Sequence, residues 1–244
     1  MTPTLSVAIM AHPKREAMVA DLLTRLDREV PVVWDQINDR HDTGARAMEV
    51  FDPACTHHLV IQDDALPCRD LIAGAERALS HVPEDAPVSL YTGRARPFGA
   101  EITKAVRRAR KRDASWITMR GIYWGPAVIL PVAYIPEMLA WFRSPEGCET
   151  SNYDRRMSVW WAQRQAKVWY SRPSLVDHRG DESLVWKHTN PAKPRHAHEF
   201  AGEDTSALTI DFSGPVVDIP YSAMMDHARE AAAKRARRRL ERAL

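Results

Sequence analysis

Short apolar runs alternate with amphipathic helical segments over the first 91 residues of the chain. The apolar runs occupy residues 5–11, 30–34, 58–61 and 88–91. Between the first two runs, apolar side chains recur with the period of one helix face at Met18, Val19, Leu22, Leu23 and Leu26. Strands that alternate with helices predict an α/β fold, in which helices cover both faces of a mixed, mainly parallel sheet.

The rest of the chain adds elements of the same kinds. Further strands are predicted at residues 115–119, 127–131 and 167–170, and further helices at residues 45–51, 70–80, 135–142 and 153–165. Residues 221–244 are dominated by Ala, Arg and Glu, which predicts a helix outside the core. We therefore expect one α/β domain over residues 1–215 and a basic C-terminal helical extension over residues 216–244.

Polar segments follow three predicted strands at the point where each strand ends, at residues 12–15, 35–42 and 62–64. Ligands of mainly parallel sheets bind at the carboxyl ends of the strands, so these segments should line one crevice. In the last segment Asp63 and Asp64 are adjacent, and their carboxylates repel each other unless a cation offsets the charge. Hard cations such as Mn²⁺ or Mg²⁺ prefer such oxygen ligands, whereas a solvated Asp-Asp turn is the simpler interpretation.

Composition excludes several classes of protein. The chain has no apolar run of about 18 residues, so no membrane-spanning helix is expected. Residues 1–7 lack the basic stretch and apolar block of a signal peptide. Cys55, Cys68 and Cys148 show no CxxC spacing, which indicates reduced thiols in a cytoplasmic protein and argues against a zinc site.

The net charge of +2 conceals two strongly basic runs, at residues 107–112 and 234–239. Either run could bind a polyanion. A solvated helical face is the simpler interpretation of each.

The segment HHLVIQDDALP, residues 57–67, resembles the strand and acidic motif of glycosyltransferases with the Rossmann-like GT-A fold. It is most similar to that of bacterial lipooligosaccharide-type and family 2-like enzymes. The resemblance implies that Asp64 binds the metal ion and that Asp63 faces the sugar donor. Gln62 stands where the family has its first acidic residue. A phage-encoded enzyme of this kind would act in the host cytoplasm.

A second segment, residues 151–180, resembles the family's order of acidic residue, helix, strand and Pro-Ser-Leu-Val-x-His. The resemblance implies that Asp154 is the general base of an inverting enzyme, kept ionised by the helix N-terminus. It also implies that His178 completes the metal site and that Arg179, at the start of a segment over the donor, contacts the diphosphate. Taken alone, Asp154 is simply an acid at a helix N-terminus, and His178 a surface or packed residue.

A third segment, residues 121–126, resembles the glycine-containing loop on which donor sugar and acceptor meet. It implies donor contacts by Gly125 and by Trp124, whose ring could stack on a sugar, although a hairpin turn with a core Trp explains the residues equally well. The remaining donor contacts implied by the resemblance are Ala11, His12, Pro13 and Arg15 at the nucleoside, Asp35 at the base or ribose, and Arg46 near the diphosphate.

The resemblance implies an inverting, metal-dependent transfer of a sugar from a nucleotide-sugar donor, with a UDP-sugar favoured, to a hydroxyl group. The basic segments make modified bases in DNA one candidate acceptor, and protein and glycan are the others. Two alternatives stay open. One is a nucleotidyltransferase, although the segment AHPKRE after the first strand lacks the glycines such enzymes use around phosphates. The other is a nucleic-acid-binding protein without catalysis.

Overall fold

The computed structural model describes residues 2–94, 98–149, 153–179 and 195–222. Seven α-helices occur in these ranges: α1 Glu16–Arg25, α2 Arg40–Glu49, α3 Leu71–Leu79, α4 Gly99–Arg112, α5 Ile135–Phe142, α6 Pro145–Glu149 and α7 Tyr153–Gln163. The strands of the same ranges are β1 Leu5–Ala11, β2 Val32–Trp34, β3 His57–Gln62, β4 Ala65–Pro67, β5 Val88–Ser89, β6 Trp116–Arg120, β7 Ala127–Pro131, β8 Lys167–Ser171, β9 Val176–His178 and β10 Val216–Asp218.

Eight of these strands form one central sheet, in the order β10-β6-β8-β5-β7-β3-β1-β2. Strands β1, β2 and β3 are parallel neighbours, as are β5 and β8. Strand β7 is antiparallel to β3 and β5, and β6 is antiparallel to β8. The predicted mixed, mainly parallel sheet flanked by helices is therefore confirmed.

Helices cover the sheet on both faces because successive side chains of a strand point to opposite sides. In β1, Ala8 and Met10 join a core that includes residues of α2, α4, α5 and α7. Val7 and Ile9 join a second core that includes residues of α1 and α3. This arrangement leaves the ends of the strands, rather than the faces of the sheet, open for a ligand.

Several element boundaries differ from those expected. Helix α2 begins at Arg40 rather than at residue 45, because the side chain of Asp39 caps it by accepting from the backbone N–H of His41 at 2.7 Å. Residues 216–218 belong to the sheet as β10, paired with β6, and Ile219 lies in the core. The sheet thus includes residues beyond 215, Tyr221 and Ser222 are helical, and the remainder of the expected C-terminal helix, residues 223–244, lies outside the described residues.

The basic run at residues 107–112 forms the second half of α4, whose inner face is the buried row Ile102, Ala105, Val106 and Ala109. The basic run at residues 234–239 lies outside the described ranges. No helix in those ranges has the length and apolar character needed to cross a membrane.

Candidate functional site

The carboxyl ends of β1, β2 and β3 lie side by side. The register pairs Met10 with Gln62 and Ala11 with Trp34. Beyond these pairs, the backbone N–H of Asp63 donates to the carbonyl of Met10 at 3.1 Å, and that of Asp35 donates to the carbonyl of Ala11 at 2.7 Å. The three polar segments expected to share a crevice therefore begin at the same edge of the sheet.

Asp63 and Asp64 are both buried, and the buried Arg15 lies between them. One guanidinium nitrogen of Arg15, Nη1, is 2.6 Å from Oδ1 of Asp63 and 2.6 Å from Oδ2 of Asp64. The other oxygen of Asp63 accepts the backbone N–H of His12 at 2.8 Å. Burial, and then the charge of Asp64, raise the pKa of Asp63 against the opposing pull of Arg15. Arg15 is therefore an internal counter-cation for the acid pair, a role not expected for a donor contact.

Asp64 and His178 are neighbours in space although they are far apart in the chain. Asp64 directly precedes β4, and His178 is the last residue of β9. Strands β4 and β9 form an antiparallel ladder in which Ala65 pairs with His178. The backbone N–H of Arg179 donates to the carbonyl of Asp64 at 2.9 Å, which extends the ladder by one bond. As a result, Nε2 of His178 lies 3.2 Å from Oδ2 of Asp64, and both side chains are 6% exposed.

The hydrogen bonds of His178 leave Nε2 available as a ligand. Its Nδ1 is 2.6 Å from the carbonyl oxygen of Arg179, and because a carbonyl can only accept, Nδ1 is the protonated nitrogen. In the neutral ring Nε2 then directs a lone pair toward Asp64, and two such atoms repel unless a proton or a metal ion lies between them. A histidine ligand commonly donates its other N–H to a backbone carbonyl, as here.

The second oxygen of Asp64, Oδ1, is buried and has no hydrogen-bond partner in the described part of the chain. A divalent cation would satisfy both this oxygen and Nε2 of His178, so the residues fit a metal ion. No cluster of three or more His, Cys, Asp or Glu side chains suited to a metal occurs among the described residues. The chain would thus supply two ligands, and the remaining positions would fall to phosphate oxygens and water, as is common for Mg²⁺.

Arg179 lies beside this pair through its backbone, but its guanidinium donates to Asp21 of α1. Hydrogen bonds from Arg179 and then from Arg25 lower the pKa of Asp21. In this arrangement Arg179 is directed toward α1, so a diphosphate contact would require it to leave Asp21. The segment that follows Arg179, which was expected to lie over the donor, is outside the described residues.

The remaining donor contacts expected at the strand ends have mostly local partners. His12 accepts the backbone N–H of Lys14 at 3.1 Å and caps the short 3-10 helix that begins at Pro13. Asp35 accepts the backbone N–H groups of Ile37 and Asp39 at 3.1 and 3.2 Å, which shapes the turn before α2.

Arg46 was expected at the start of a helix but lies in the last turn of α2. It donates to Asp42 at 2.7 Å and to the carbonyl of Trp34 at 3.0 Å. Its position differs because α2 begins one and a half turns earlier than the sequence suggested. Arg46 therefore ties α2 to the end of β2.

The loop at residues 121–126 packs directly against the acidic strand end. A side chain at Gly125 would meet the amide of Gln62, so the glycine permits this approach. Trp124 is 9% exposed, with Tyr91 and Tyr170 in edge contact at 6.3 and 5.8 Å between ring centroids. Protein covers most of this ring, whereas a platform for a sugar needs an open face. Trp124 has the packing role of a core residue.

Asp154 lies in the first turn of α7, where Oδ1 accepts the backbone N–H of Arg155 at 2.9 Å. Burial raises the pKa of Asp154, so the helix N-terminus does not keep it as readily ionised as expected. Helix α7 contacts the loop at 121–126 through the hydroxyl of Ser158, which donates to the carbonyl of Ile122. Helix α7, which carries Asp154, therefore borders the loop at residues 121–126, and this loop also packs against the end of β3 next to the acid pair.

A second carboxylate and histidine lie next to this site and were not singled out in the sequence. Asp177 accepts Nδ1 of His196 at 2.9 Å and the backbone N–H of Ala197 at 2.6 Å. Burial, then the charges of Asp177 and Asp64, raise the pKa of Tyr91. The only sequence signal for Asp177 was its place beside His178, and no sequence motif pointed to His196.

Comparisons with known proteins leave the function open. No protein-family model and no curated protein matches the sequence. A structural alignment with A197 from STIV has a TM-score of 0.41 at 9% identity and covers 76% of this chain and 100% of the other. One with a mutant Drosophila β-1,4-galactosyltransferase 7, in complex with manganese, UDP-Gal and xylobiose, has a TM-score of 0.43 at 9% identity and covers 85% of each chain. At such low similarity the function has to be argued from the site itself.

Proposed function

We propose that this chain is a metal-dependent, inverting glycosyltransferase of the GT-A type, which moves a sugar from a nucleotide-sugar donor to a hydroxyl acceptor. The observation that carries the proposal is the pairing of β4 with β9, which brings Asp64 and His178 within 3.2 Å at the carboxyl edge of the sheet. The unpartnered oxygen of Asp64 and Nε2 of His178 form the kind of mixed O and N ligand pair that Mn²⁺ accepts.

Asp64 and His178 would hold Mn²⁺ or Mg²⁺. When bound, the ion would neutralise charge on the diphosphate leaving group. Arg15 holds the neighbouring carboxylates of Asp63 and Asp64 in place through its two ion pairs. The backbone of Ala11, His12 and Pro13 at the end of β1 would border the nucleoside, and we favour a UDP-sugar as donor.

Asp154 would accept the proton of the acceptor hydroxyl. Its raised pKa suits this role, because a carboxylate with a pKa nearer to neutrality is a stronger base than an ordinary aspartate. Base and nucleophile need to be within hydrogen-bond reach only in the complex with acceptor and donor. DNA, protein and glycan are the acceptor classes to be compared.

The experiment is a donor screen with Mn²⁺ that scores release of UDP, GDP or TDP. We expect Asp64→Asn to abolish metal-dependent release and Mn²⁺ binding, with the exposed Asp204→Asn as the matched control. Asp154→Asn should abolish transfer while donor binding persists. Release of pyrophosphate instead of a nucleoside diphosphate would replace the glycosyltransferase with a nucleotidyltransferase. Full transfer by Asp154→Asn would remove Asp154 from the role of base.

A further inference from the structure

A cavity of about 1060 Å³ lies at the same edge of the sheet as the acid pair. The cavity is lined by Arg94, which follows β5, and by Arg172, which follows β8. Strand β7 is antiparallel to both β3 and β5, and β5 is parallel to β8, so the carboxyl ends of β3, β5 and β8 lie at the same edge of the sheet. The cavity is also lined by Asp177, the residue before His178. The edge of the sheet thus carries two adjoining regions, the acid pair at β1 to β3 and this cavity at β5 and β8.

The cavity is rich in guanidinium and imidazole groups, namely those of Arg94, Arg110, Arg112, Arg172, His196 and His198. Its acidic residues are Asp113, Asp177, Glu199 and Asp211. The four acids match the four arginines in number, so with neutral histidines the cavity itself carries no net charge. Glu199 pairs with both Arg110 and Arg172, Asp177 binds His196, and Asp211 accepts from Ser213 at 2.8 and 2.7 Å.

A cationic surface lies beside the cavity, on the outer face of α4. Exposed Lys and Arg side chains occur there at Lys104, Arg107, Arg108, Arg110, Lys111 and Arg112. Lys104 pairs with Glu101, and Arg108 donates to a backbone carbonyl of Asp218. Among the described residues, Arg107, Lys111 and Arg112 have no carboxylate within ion-pair distance. The face therefore presents uncompensated positive charge next to the cavity.

The extent and the chemistry of this surface indicate its ligand. From Lys104 to Arg112 the helix advances roughly 12 Å, and the cavity adds to that length, so the surface is too long for one phosphate group. Arginine predominates over lysine, and its planar fork matches phosphate oxygens in pairs. An extended row of phosphates is the feature that this surface fits.

We propose that the cavity and the outer face of α4 bind the phosphodiester backbone of a nucleic acid, which is the acceptor of the reaction. The role as acceptor rests on the function proposed above, whereas the binding does not. The nucleic acid would lie across the ends of β5 and β8, and a hydroxyl-bearing nucleotide could then reach the edge at β3, where Asp64 and His178 lie.

The test measures binding of the full chain to a labelled DNA single strand of about 20 nucleotides and to its duplex, without metal or donor. The variant carries Arg107→Gln, Arg108→Gln and Lys111→Gln, all on the exposed face of α4. Glutamine is a good helix former, so α4 should persist. The charge-matched control carries Arg28→Gln, Arg69→Gln and Arg143→Gln, at surface cations that do not line the cavity.

We expect the α4 variant to bind DNA at least tenfold more weakly at low salt, as three lost phosphate contacts imply. The slope of log affinity against log salt should fall by roughly 2 for single strands. The control should bind as the unmodified chain does. Equal binding by the α4 variant and the control, or tighter binding to heparin than to both DNAs, would overturn the proposal.

Two further variants separate this inference from the glycosyltransferase. Neutralising the basic residues at 234–239 tests whether that run alone binds DNA. If this variant loses all DNA binding while the α4 variant binds as tightly as the unmodified chain, the proposal is overturned.

Asp64→Asn should bind DNA normally but transfer no sugar to it. If the chain binds DNA but turns over no sugar nucleotide, the proposed DNA-binding surface is supported and the proposed glycosyltransferase activity is contradicted. If the chain turns over a donor but DNA neither binds nor accepts sugar, the proposed glycosyltransferase activity is supported and the proposal that nucleic acid is the acceptor is contradicted.

Discussion

The guanidinium of Arg15 makes two ion pairs in a place where its own side chain and that of Asp63 are 9% exposed. Burial alone would lower the pKa of Arg15, but the charges of Asp64 and Asp63 outweigh it and raise that pKa. We predict that Arg15→Met lowers the free energy of unfolding by about 3–5 kcal/mol, because it leaves two buried carboxylates without their counter-charge. Denaturant unfolding near neutral pH measures the change.

Arg28 provides the matched control, because it pairs with Glu76 at 3.0 Å near the surface, with 40% of its side chain exposed. Arg28→Met should cost less than about 1 kcal/mol, as exposed ion pairs do. Similar losses in the two variants would mean that Arg15 is not the internal counter-cation of the site.

Asp154 should make stability depend on pH in a defined direction. Its folded pKa is raised above the ordinary value of 3.8, chiefly by burial. The stability that it contributes is therefore fully present below that ordinary value and is lost as the pH rises through the folded pKa. We predict that Asp154→Asn raises the free energy of unfolding near neutral pH and leaves it unchanged in acid below the ordinary pKa. Paired unfolding curves at the two pH values test this, and destabilisation by Asn near neutral pH would contradict it.

Single residues differed in how far the sequence could predict their positions. Asp64 and His178 could be related only through a family resemblance, since nothing local in either segment specifies their pairing. The burial of Arg15 was not predictable, because an arginine in a polar segment after a strand is usually solvated. Trp124 left two interpretations open, and only the rings of Tyr91 and Tyr170 around it decide between them.

Helices α2 and α7 meet where Gly44 lies against the ring of Tyr153, and any Cβ at Gly44 would overlap that ring. Gly44→Ala should therefore lower the free energy of unfolding by about 1–3 kcal/mol through overpacking, although alanine by itself favours a helix. Because α7 carries Asp154, we also predict a lower rate of transfer with an unchanged donor KM. A double variant with Tyr153→Leu should lose less stability than the sum of the single changes. Simple additivity would show that the two helices are not in contact here.

The elements with strong apolar patterns were the most predictable. The expected bounds of β1, β7 and α5 coincide with those observed, because each is an uninterrupted apolar or amphipathic segment. Strands β4 and β9 were missed, since each has three residues and obtains its backbone partners only from the other. The start of α2 was missed because its first turns are polar and depend on the cap at Asp39.

The fold as a whole arranges one edge of a mixed sheet as a continuous surface. Helices bury both faces, so chemistry is confined to the strand ends, and the alternation of strands and helices was sufficient to predict this. The order of strands beyond β3 was not predictable, because β7 inserts between β3 and β5 by long-range pairing. Asp177, which precedes His178 in β9, lines the cavity and so connects it to the acid pair.

The most direct test of the proposed metal centre is a crystal structure of the chain with Mn²⁺ and UDP, analysed by anomalous scattering of manganese. We predict one strong peak in contact with Oδ1 of Asp64 and Nε2 of His178, with diphosphate oxygens completing the coordination. The peak should disappear in Asp64→Asn crystals soaked in the same way. UDP bound at the ends of β1 to β3 with no manganese at Asp64 and His178 would contradict the proposed centre.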